Sequence, residues 1–283
     1  MMRFSLVLAT IGRIREVERF LKSLEAQAYR EFELIVVDQN EDERLSPILA
    51  TYRERFSLLH LRSEPGLSRA RNAGLLYITG DVVTFPDDDC WYSPEILELI
   101  ARFFSDRPEL DGFSGRIVDE QGRSGIAKWF DKQPGMLSRF NAWKRVTSVT
   151  LFLRRSVIEE VGEFDRALGV GSGTDWAAGE DTDYALRAIE AGFKIYYRPD
   201  IRVFHPSPSG HNGYDYLKLA DRAYRYGVAM GQVWRKHDYP LWFVGYYLLR
   251  PVGGAILSLV RGHKNKAHYH LSAFRGRLRG WLY

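Results

Sequence analysis

Residues Phe4 to Asp38, FSLVLATIGRIREVERFLKSLEAQAYREFELIVVD, decide the fold. FSLVLA (Phe4 to Ala9) is an apolar run of strand length, and ELIVVD (Glu33 to Asp38) is a second. Between them Val17, Phe20, Leu21 and Leu24 recur at the spacing of one helix face. The stretch therefore reads as buried strand, amphipathic helix, buried strand. The pattern continues outward. A helix is expected near Leu45 to Arg55, a strand near Leu58 to Leu61, a helix through Leu67 to Ile78, and a strand at DVVTFP (Asp81 to Pro86). Such alternation predicts an α/β fold with a parallel sheet flanked by helices, whose ligands gather beyond the carboxyl ends of the strands.

Three of those ends carry polar groups: the loop Thr10 to Arg13, Asp38, and the triplet Asp87, Asp88, Asp89 in FPDDDC (Phe85 to Cys90). After the triplet, Ser93 is placed to cap a helix with Pro94 at its first position and Ile96, Leu97, Ile100 and Phe103 facing inward. The stretch from Asp111 to Arg145, rich in Gly, Arg and aromatics, gives no clean assignment. VTSVTLFL (Val146 to Leu153) alternates like a strand. A glycine-rich loop, ALGVGSGTDWAAG, leads into a helix from Glu180 to Gly192, and FKIYYRP and IRVFHP read as two short strands. From Tyr214 onward Leu219, Ala223, Tyr226, Met230 and Val233 form a helical stripe.

A chain of 283 residues accommodates one large domain, or one domain with an appendage. The boundary is expected at residue 207, giving an α/β domain over 1–207 and a helical extension over 208–283. Cys90 is the single cysteine, which rules out an intrachain disulfide, fits a reducing compartment and makes a poor zinc site. It reads as a small packing residue. The N-terminal apolar run is too short for a signal peptide and is read as the first strand. A net charge of +4 conceals an asymmetry, because Leu241 to Tyr283 holds Arg250, Arg261, Lys264, Lys266, Arg275, Arg277 and Arg279 but no Asp or Glu. That tail should seek an anionic partner.

Three adjacent carboxylates at a strand end have two readings: a divalent-cation site of the Mg²⁺ or Mn²⁺ kind, or an acidic turn. Arg69 and Arg71, in GLSRARNAG (Gly66 to Gly74), sit near a helix start where cations and free N–H groups suit phosphate; the alternative is a solvated basic face. Glu180, Asp181 and Asp183 share a first helical turn, which the macrodipole alone would favour. The preceding GVGSGTDW, with Trp176, is a flexible way to begin a helix unless it embraces a ligand. His205, directly after a strand, is a surface or core histidine on its own and a nitrogen donor if it meets the triplet.

Taken in order, LVLATIGR, IVVDQNEDE, GLSRARNAGL, FPDDDCWY, VGEFD, GEDTDYALRA and AGFKIYYRPDIRVFH resemble the inverting glycosyltransferases of family 2, which have the Rossmann-like GT-A fold. The resemblance spans about residues 3 to 206. It implies that Ala9, Thr10, Gly12 and Arg13 line a nucleotide pocket, that Asp38 holds the base or ribose, and that Arg71, Asp87 and Asp88 sit by the nucleotide. It further implies that Asp87 and Asp89 belong to an Asp-x-Asp metal element completed by His205, with Mn²⁺ or Mg²⁺ as cofactor. Asp181 resembles the catalytic base, Glu180 and Trp176 fall on the acceptor side, and Val161 to Asp165 leads into the acceptor loop. No Gln-x-x-Arg-Trp element follows His205, which argues against a processive polymerase and for single addition. The implied reaction moves one sugar from a nucleotide diphosphate, a UDP-sugar above all, to a hydroxyl acceptor. Two other readings are a nucleotidyltransferase, for which ATIGR lacks the expected lysine, and a non-catalytic sugar-nucleotide-binding protein.

LWFVGYYLLRPVGGAILSLV (Leu241 to Val260) has the length of a membrane span, but Arg250 and Pro251 at its centre argue against spanning. Two readings remain: a helix lying in the membrane interface, or a hydrophobic hairpin folded on the catalytic domain or on a second subunit. Interfacial attachment fits a lipid-linked glycan or cell-surface precursor as acceptor and a cytoplasmic enzyme on the inner face of the cell membrane. Nucleic acid is disfavoured, because the basic residues alternate with apolar ones.

Overall fold

The computed structural model describes residues 1–123, 130–206 and 215–283. They form two compact units, Met1–Phe164 with Tyr184–Ser207, and Asp165–Asp183 with Pro208–Tyr283. The boundary expected at residue 207, and Tyr214 at the head of the C-terminal stripe, lie outside the described residues.

The first unit begins β1 (Phe4–Thr10), α1 (Arg15–Glu25), β2 (Phe32–Asp38), α2 (Ser46–Arg53), β3 (Ser57–Arg62), α3 (Leu67–Leu75), β4 (Val82–Thr84), α4 (Ile96–Asp106). It continues with β5 (Gly112–Val118), β6 (Gly135–Met136), β7 (Phe152–Arg154), α5 (Arg155–Val161) and β8 (Ile195–Phe204). The strands make one sheet in the order β3-β2-β1-β4-β7-β5-β8-β6. Strands β1 to β4 pair in parallel, and β7 runs antiparallel between β4 and β5. Strand β8 is parallel to β5, and β6 is antiparallel to β8. Among the described strands only β6 and β7 oppose the rest, so the sheet is mostly parallel, as expected.

Why β1 and β2 read as unbroken apolar runs follows from the packing. Phe4, Leu6, Leu8, Leu34 and Val36 join one core with Val17, Phe20, Leu21 and Leu24 of α1 and with Leu97 and Ile100 of α4. On the other face α3 comes so close that Gly74 lies against the side chains of Val7 and Val37. Both faces are covered, so neither residue parity needs to be polar. Each fully buried Leu or Phe contributes about 1.5–3 kcal/mol, which puts the stability of this unit under the strand ends.

Several local expectations are corrected. Ser93 does not cap α4, which begins three residues later at Ile96 with Glu95 at its N-cap. Gln27, just past the end of α1, fills that role, donating to the Ser93 carbonyl at 2.8 Å and accepting from Leu97 N at 3.4 Å. VTSVTLFL is not one strand: Ser148–Thr150 forms a 3₁₀ turn, and only Phe152–Arg154 extends. FKIYYRP and IRVFHP merge into the single strand β8, whose pairing with β5 slips between Ser114 and Arg116. Pro199 lies in the part of β8 opposite that slip, where a strand tolerates a missing N–H.

The second unit holds the glycine-rich loop, the first turn of α6 (Glu180–Glu190), and the helices α7 (Tyr216–Lys236), α8 (Leu241–Val260) and α9 (Lys264–Leu282). Asp215 caps α7 by accepting from Leu217 N and Lys218 N. The buried face of α7 is not the expected stripe. Of those residues only Val233 is buried, alongside Ala220, Gly227, Val228, Ala229, Gly231 and Trp234, while Tyr226 is exposed. The reason is close backbone packing. A Cβ on Gly227 would sit 2.9 Å from the Ala273 carbonyl oxygen, and one on Gly231 2.6 Å from Trp281 N. Gly276 and Gly280 of α9 face the carbonyls of Tyr224 and Val228 in the same way.

Candidate active site

The acidic triplet hangs from a rigid support. Phe85 is buried with its ring 4.9 Å from Phe164 in an edge-on contact, and Asp87 forms a parallel bridge to Ala9 at the end of β1. Beyond it, Trp91 and Phe204 exchange backbone hydrogen bonds of 2.9 and 3.0 Å, and their rings stack. That pairing brings the end of β8, and hence His205, beside the triplet.

Each aspartate has its own cationic or hydroxyl partner. Arg71 reaches Asp87 Oδ1 at 3.1 Å and Ser148 Oγ at 2.9 Å. Its side chain is 1% exposed, so it acts from inside the fold. Arg13 contacts Asp88 Oδ1 at 2.6 Å and Asp89 Oδ2 at 2.5 Å. Thr10 donates to Asp88 Oδ2 at 2.8 Å, and His205 Nε2 lies 3.0 Å from Asp89 Oδ1. Like charges are therefore offset one by one rather than left to repel.

The carboxylates differ in electrostatics. Burial pushes Asp88 up to about 6, against the Thr10 hydroxyl and the Arg13 charge, with Asp89 and Asp87 adding to the rise. Asp88 is ion-paired yet raised, because its loss of water outweighs one partly solvated guanidinium. Burial also pushes Asp89 up, but the His205 hydrogen bond and the charges of His205 and Arg13 prevail and hold it down at about 2. For His205, burial lowers the pKa, yet the hydrogen bond and charge of Asp89 leave it raised.

Asp87, Asp89 and His205 could hold a metal ion together, their ligating atoms lying within 4.8 Å of one another. Two carboxylate oxygens and an imidazole nitrogen suit a divalent cation of the Mn²⁺ or Mg²⁺ type. His205 Nδ1 lies 2.8 Å from the Pro206 carbonyl, a contact that makes Nδ1 the donor and leaves Nε2 facing the carboxylates. The donor set fits. Asp88 stands apart from it, buried and bonded to Thr10 and Arg13.

Asp38, at the end of β2, is wholly buried. Its Oδ1 accepts from Asn40 N at 2.9 Å and Nδ2 at 2.7 Å, and its Oδ2 lies 3.0 Å from both His60 and Arg62. Asn40 in turn accepts from Gly12 N at 2.7 Å, tying the first strand-end loop to the second. Gly12 has φ of +71°, so glycine is required there. Asn40, His60, Arg62, Ser148 and the Arg19 guanidinium 4.0 Å over the Trp91 ring were not singled out from the sequence. The end of β3 was the available signal for His60 and Arg62, since parallel strands finish on one edge.

In the second unit, Gly169 N donates to the Trp176 carbonyl at 3.0 Å, and Thr174 Oγ1 to the Ala167 carbonyl at 2.7 Å. Asp175 pairs with Arg279 at 2.6 Å. Trp176, Asp175, Val228, Arg279 and Tyr283 help line an open cavity of about 450 Å³. Gly179, with φ of +88°, turns the chain into α6. Glu180 is buried; Asp181 is partly exposed and accepts from Thr182 N at 2.6 Å. Asp183 is not a simple dipole partner. It is fully buried and bonded to His237 and Lys236.

Residues 5–162 match the family description "Glycosyl transferase family 2". Glycosyltransferase AglE of Haloferax volcanii is 24% identical over 87% of this chain and 82% of its own length. The uncharacterized glycosyltransferase YwdF of Bacillus subtilis is 31% identical over 69% of this chain and 74% of its own. The structure of S. aureus TarS 1-349 aligns with a TM-score of 0.61 at 18% identity, over 96% of this chain and 90% of that one. Mannosyltransferase PcManGT from Pyrobaculum calidifontis, in complex with GDP-Man and Mn²⁺, aligns at 0.66 with 16% identity, over 98% and 87%. The sheet order, the helical flanks and these likenesses agree on one architecture, GT-A, and by the family match the chain belongs to glycosyl transferase family 2.

Proposed function

We propose that this glycosyltransferase is metal-dependent and inverting, and moves one sugar from a nucleotide-diphosphate sugar to a hydroxyl acceptor. The observation that carries the reading is the convergence of Asp87, Asp89 and His205 at the carboxyl ends of β1 and β4. Mn²⁺ or Mg²⁺ held there would supply a Lewis acid for the departing diphosphate. Ala9, Thr10, Gly12 and Arg13 form the wall for the nucleotide, and Arg13 is the cation free enough to turn from Asp88 and Asp89 to a phosphate. Asp38 acts on the base or ribose through the Asn40, His60 and Arg62 cluster it organises. Arg71 and Asp88 are positioning residues: Arg71 fixes Asp87, and Asp88 fixes Thr10 and holds Arg13 until a phosphate takes its place.

Asp181 accepts the proton of the acceptor hydroxyl as that oxygen attacks the sugar from the face opposite the diphosphate. One displacement inverts the anomeric carbon, so no enzyme nucleophile is needed. Trp176 offers an aromatic surface to the acceptor within its cavity, and Glu180 braces the turn beside it. TarS has been crystallised with UDP-GlcNAc and PcManGT with GDP-Man and Mn²⁺, which supports a nucleotide-sugar donor and favours UDP or GDP as the first nucleotides to try. The acceptor is read as a lipid-linked glycan or cell-surface polysaccharide precursor, met on the cytoplasmic side of the membrane.

Thermal melting with UDP or GDP, each with Mn²⁺ or with chelator, tests the site. A ligand at about 100 times its Kd adds about 2.7 kcal/mol to stability, a shift that is easily read. Wild type should show a Mn²⁺-dependent shift with the matching diphosphate, and Asp89→Ala should lose it. Equal shifts in both proteins, with metal or chelator, would remove Asp89 from the site.

A further inference from the structure

Helix α8 is two-faced in a way the reaction does not use. At 100° per residue, Trp242, Tyr246, Leu249, Gly253, Ile256, Leu257 and Val260 fall within about 60° of one line. All seven are exposed. The opposite face, with Phe243, Val244, Tyr247, Pro251, Ala255 and Ser258, is buried. That buried face already has its partner in α9, where Arg277 donates to the Tyr247 carbonyl at 2.6 Å and the His270 ring lies against Gly254. The apolar stripe is therefore left over after the helices have packed, and it runs about 30 Å. Single exposed apolar residues need no explanation, but a continuous stripe does.

We propose that α8 docks in the plane of an anionic membrane surface through this face, with Arg250, Arg261 and Lys264 at headgroup level. Charge supports that occupant. Leu241 to Tyr283 contains no acidic residue, and Arg250, Arg261, Lys264 and Arg275 are exposed. Arg277 and Arg279 are excluded from the contact, being engaged with the Tyr247 carbonyl and with Asp175. Trp242 and Tyr246, at one end of the stripe, have the ring chemistry of the headgroup boundary. By length and mean hydropathy of 1.5, α8 could also cross a bilayer. A helix with one face on protein and an exposed Arg250 at its centre suits the interface instead. The docking does not depend on the reaction proposed above.

The test uses the full chain in co-sedimentation with vesicles of phosphatidylcholine alone and with about 30% phosphatidylglycerol added. Wild type should bind the mixed vesicles at low salt, and added salt should weaken binding. Leu249→Glu with Ile256→Glu should lower partitioning about tenfold or more, since both lie mid-stripe. Arg261→Ala with Lys264→Ala should weaken binding only to the anionic vesicles. In the wild type, spin-labelled lipid should quench a fluorescence component that Trp242→Phe removes, a reading that does not require the charged variants to fold. A carbonate wash should release the protein. Absence of binding at low salt overturns the proposal, as does unchanged binding by the doubly charged variant. Retention through carbonate would mean a span, and a dimer dissolved by Leu249→Glu with Ile256→Glu would assign the face to a second copy.

Discussion

His237 Nε2, just past the end of α7, lies 2.9 Å from Asp183 Oδ1 in the first turn of α6, and both side chains are buried. Lys236 joins them, 2.7 Å from Asp183 and 2.6 Å from Asp165. One carboxylate thus fixes the start of α6 to the end of α7. Removing the Asp183 carboxylate leaves the buried His237 and the Lys236 charge without their shared partner. Asp183→Asn should cost about 3 kcal/mol in denaturant unfolding. A loss under about 0.5 kcal/mol, the scale of an unconstrained surface site, would show that the network holds nothing.

Gly280 of α9 faces the Val228 carbonyl so closely that a Cβ would run into it. The obstacle is backbone, which cannot rotate away. Gly280→Ala should therefore destabilise the helical unit by about 1–3 kcal/mol, although alanine is the better helix former. Gly253→Ala, with nothing within 4 Å of its Cβ, should instead be neutral or stabilising. Melting temperatures of the two variants should move in opposite directions or differ clearly in size.

This glycine packing also marks where reading the sequence stops. β1, α1 and β2 were legible because their side chains carry the burial pattern, and the triplet was legible because three carboxylates are chemically loud. α7 is harder to read because Ala220, Gly227, Ala229 and Gly231 make up much of its inner face beside Val228, Val233 and Trp234, so the larger Leu219 and Tyr226 suggest the wrong side. β5 was missed for a related reason: GFSGRIV is broken by Gly115, which is needed because Ile201 Cγ2 would sit 2.6 Å from a Cβ there. In the site, the sequence singles out Asp87, Asp89 and His205 for a metal ion, and the structure brings these three together, whereas the buried partners Ser148, His60 and Arg62 depend on register between distant segments. No local pattern announces them.

Burial, together with the Lys266 and Arg277 charges, lowers the pKa of His270 from its ordinary 6.5. The folded state thus prefers the neutral ring more than the unfolded chain does. Stability from this preference is complete above about pH 6.5 and is lost as pH falls through the lower folded value. Melting temperature should drop on acidification in wild type, and His270→Gln should flatten the part of that drop lying just below about pH 6.5. An unchanged profile in the variant would show that another group controls it.

Asp181 is the group on which the proposed chemistry depends most. It is partly exposed in the first turn of α6. Its neighbour two residues on, Asp183, is turned inward to His237 and Lys236, so the two acids divide chemical and structural work. A positioned general base contributes about 10² to 10⁴ in rate, and Asp181→Asn should lose that much turnover once donor and acceptor are known. Its nucleotide affinity and its melting temperature should stay near wild type, because neither the proposed metal ligands nor the buried Asp183–His237 contact is touched. Asp183→Asn should show the reverse, a lowered melting temperature with turnover largely kept at temperatures where it remains folded. Near-normal turnover in Asp181→Asn would take that residue out of the mechanism, and equal turnover losses in both variants would mean that the whole helix start, rather than one carboxylate, is what catalysis needs.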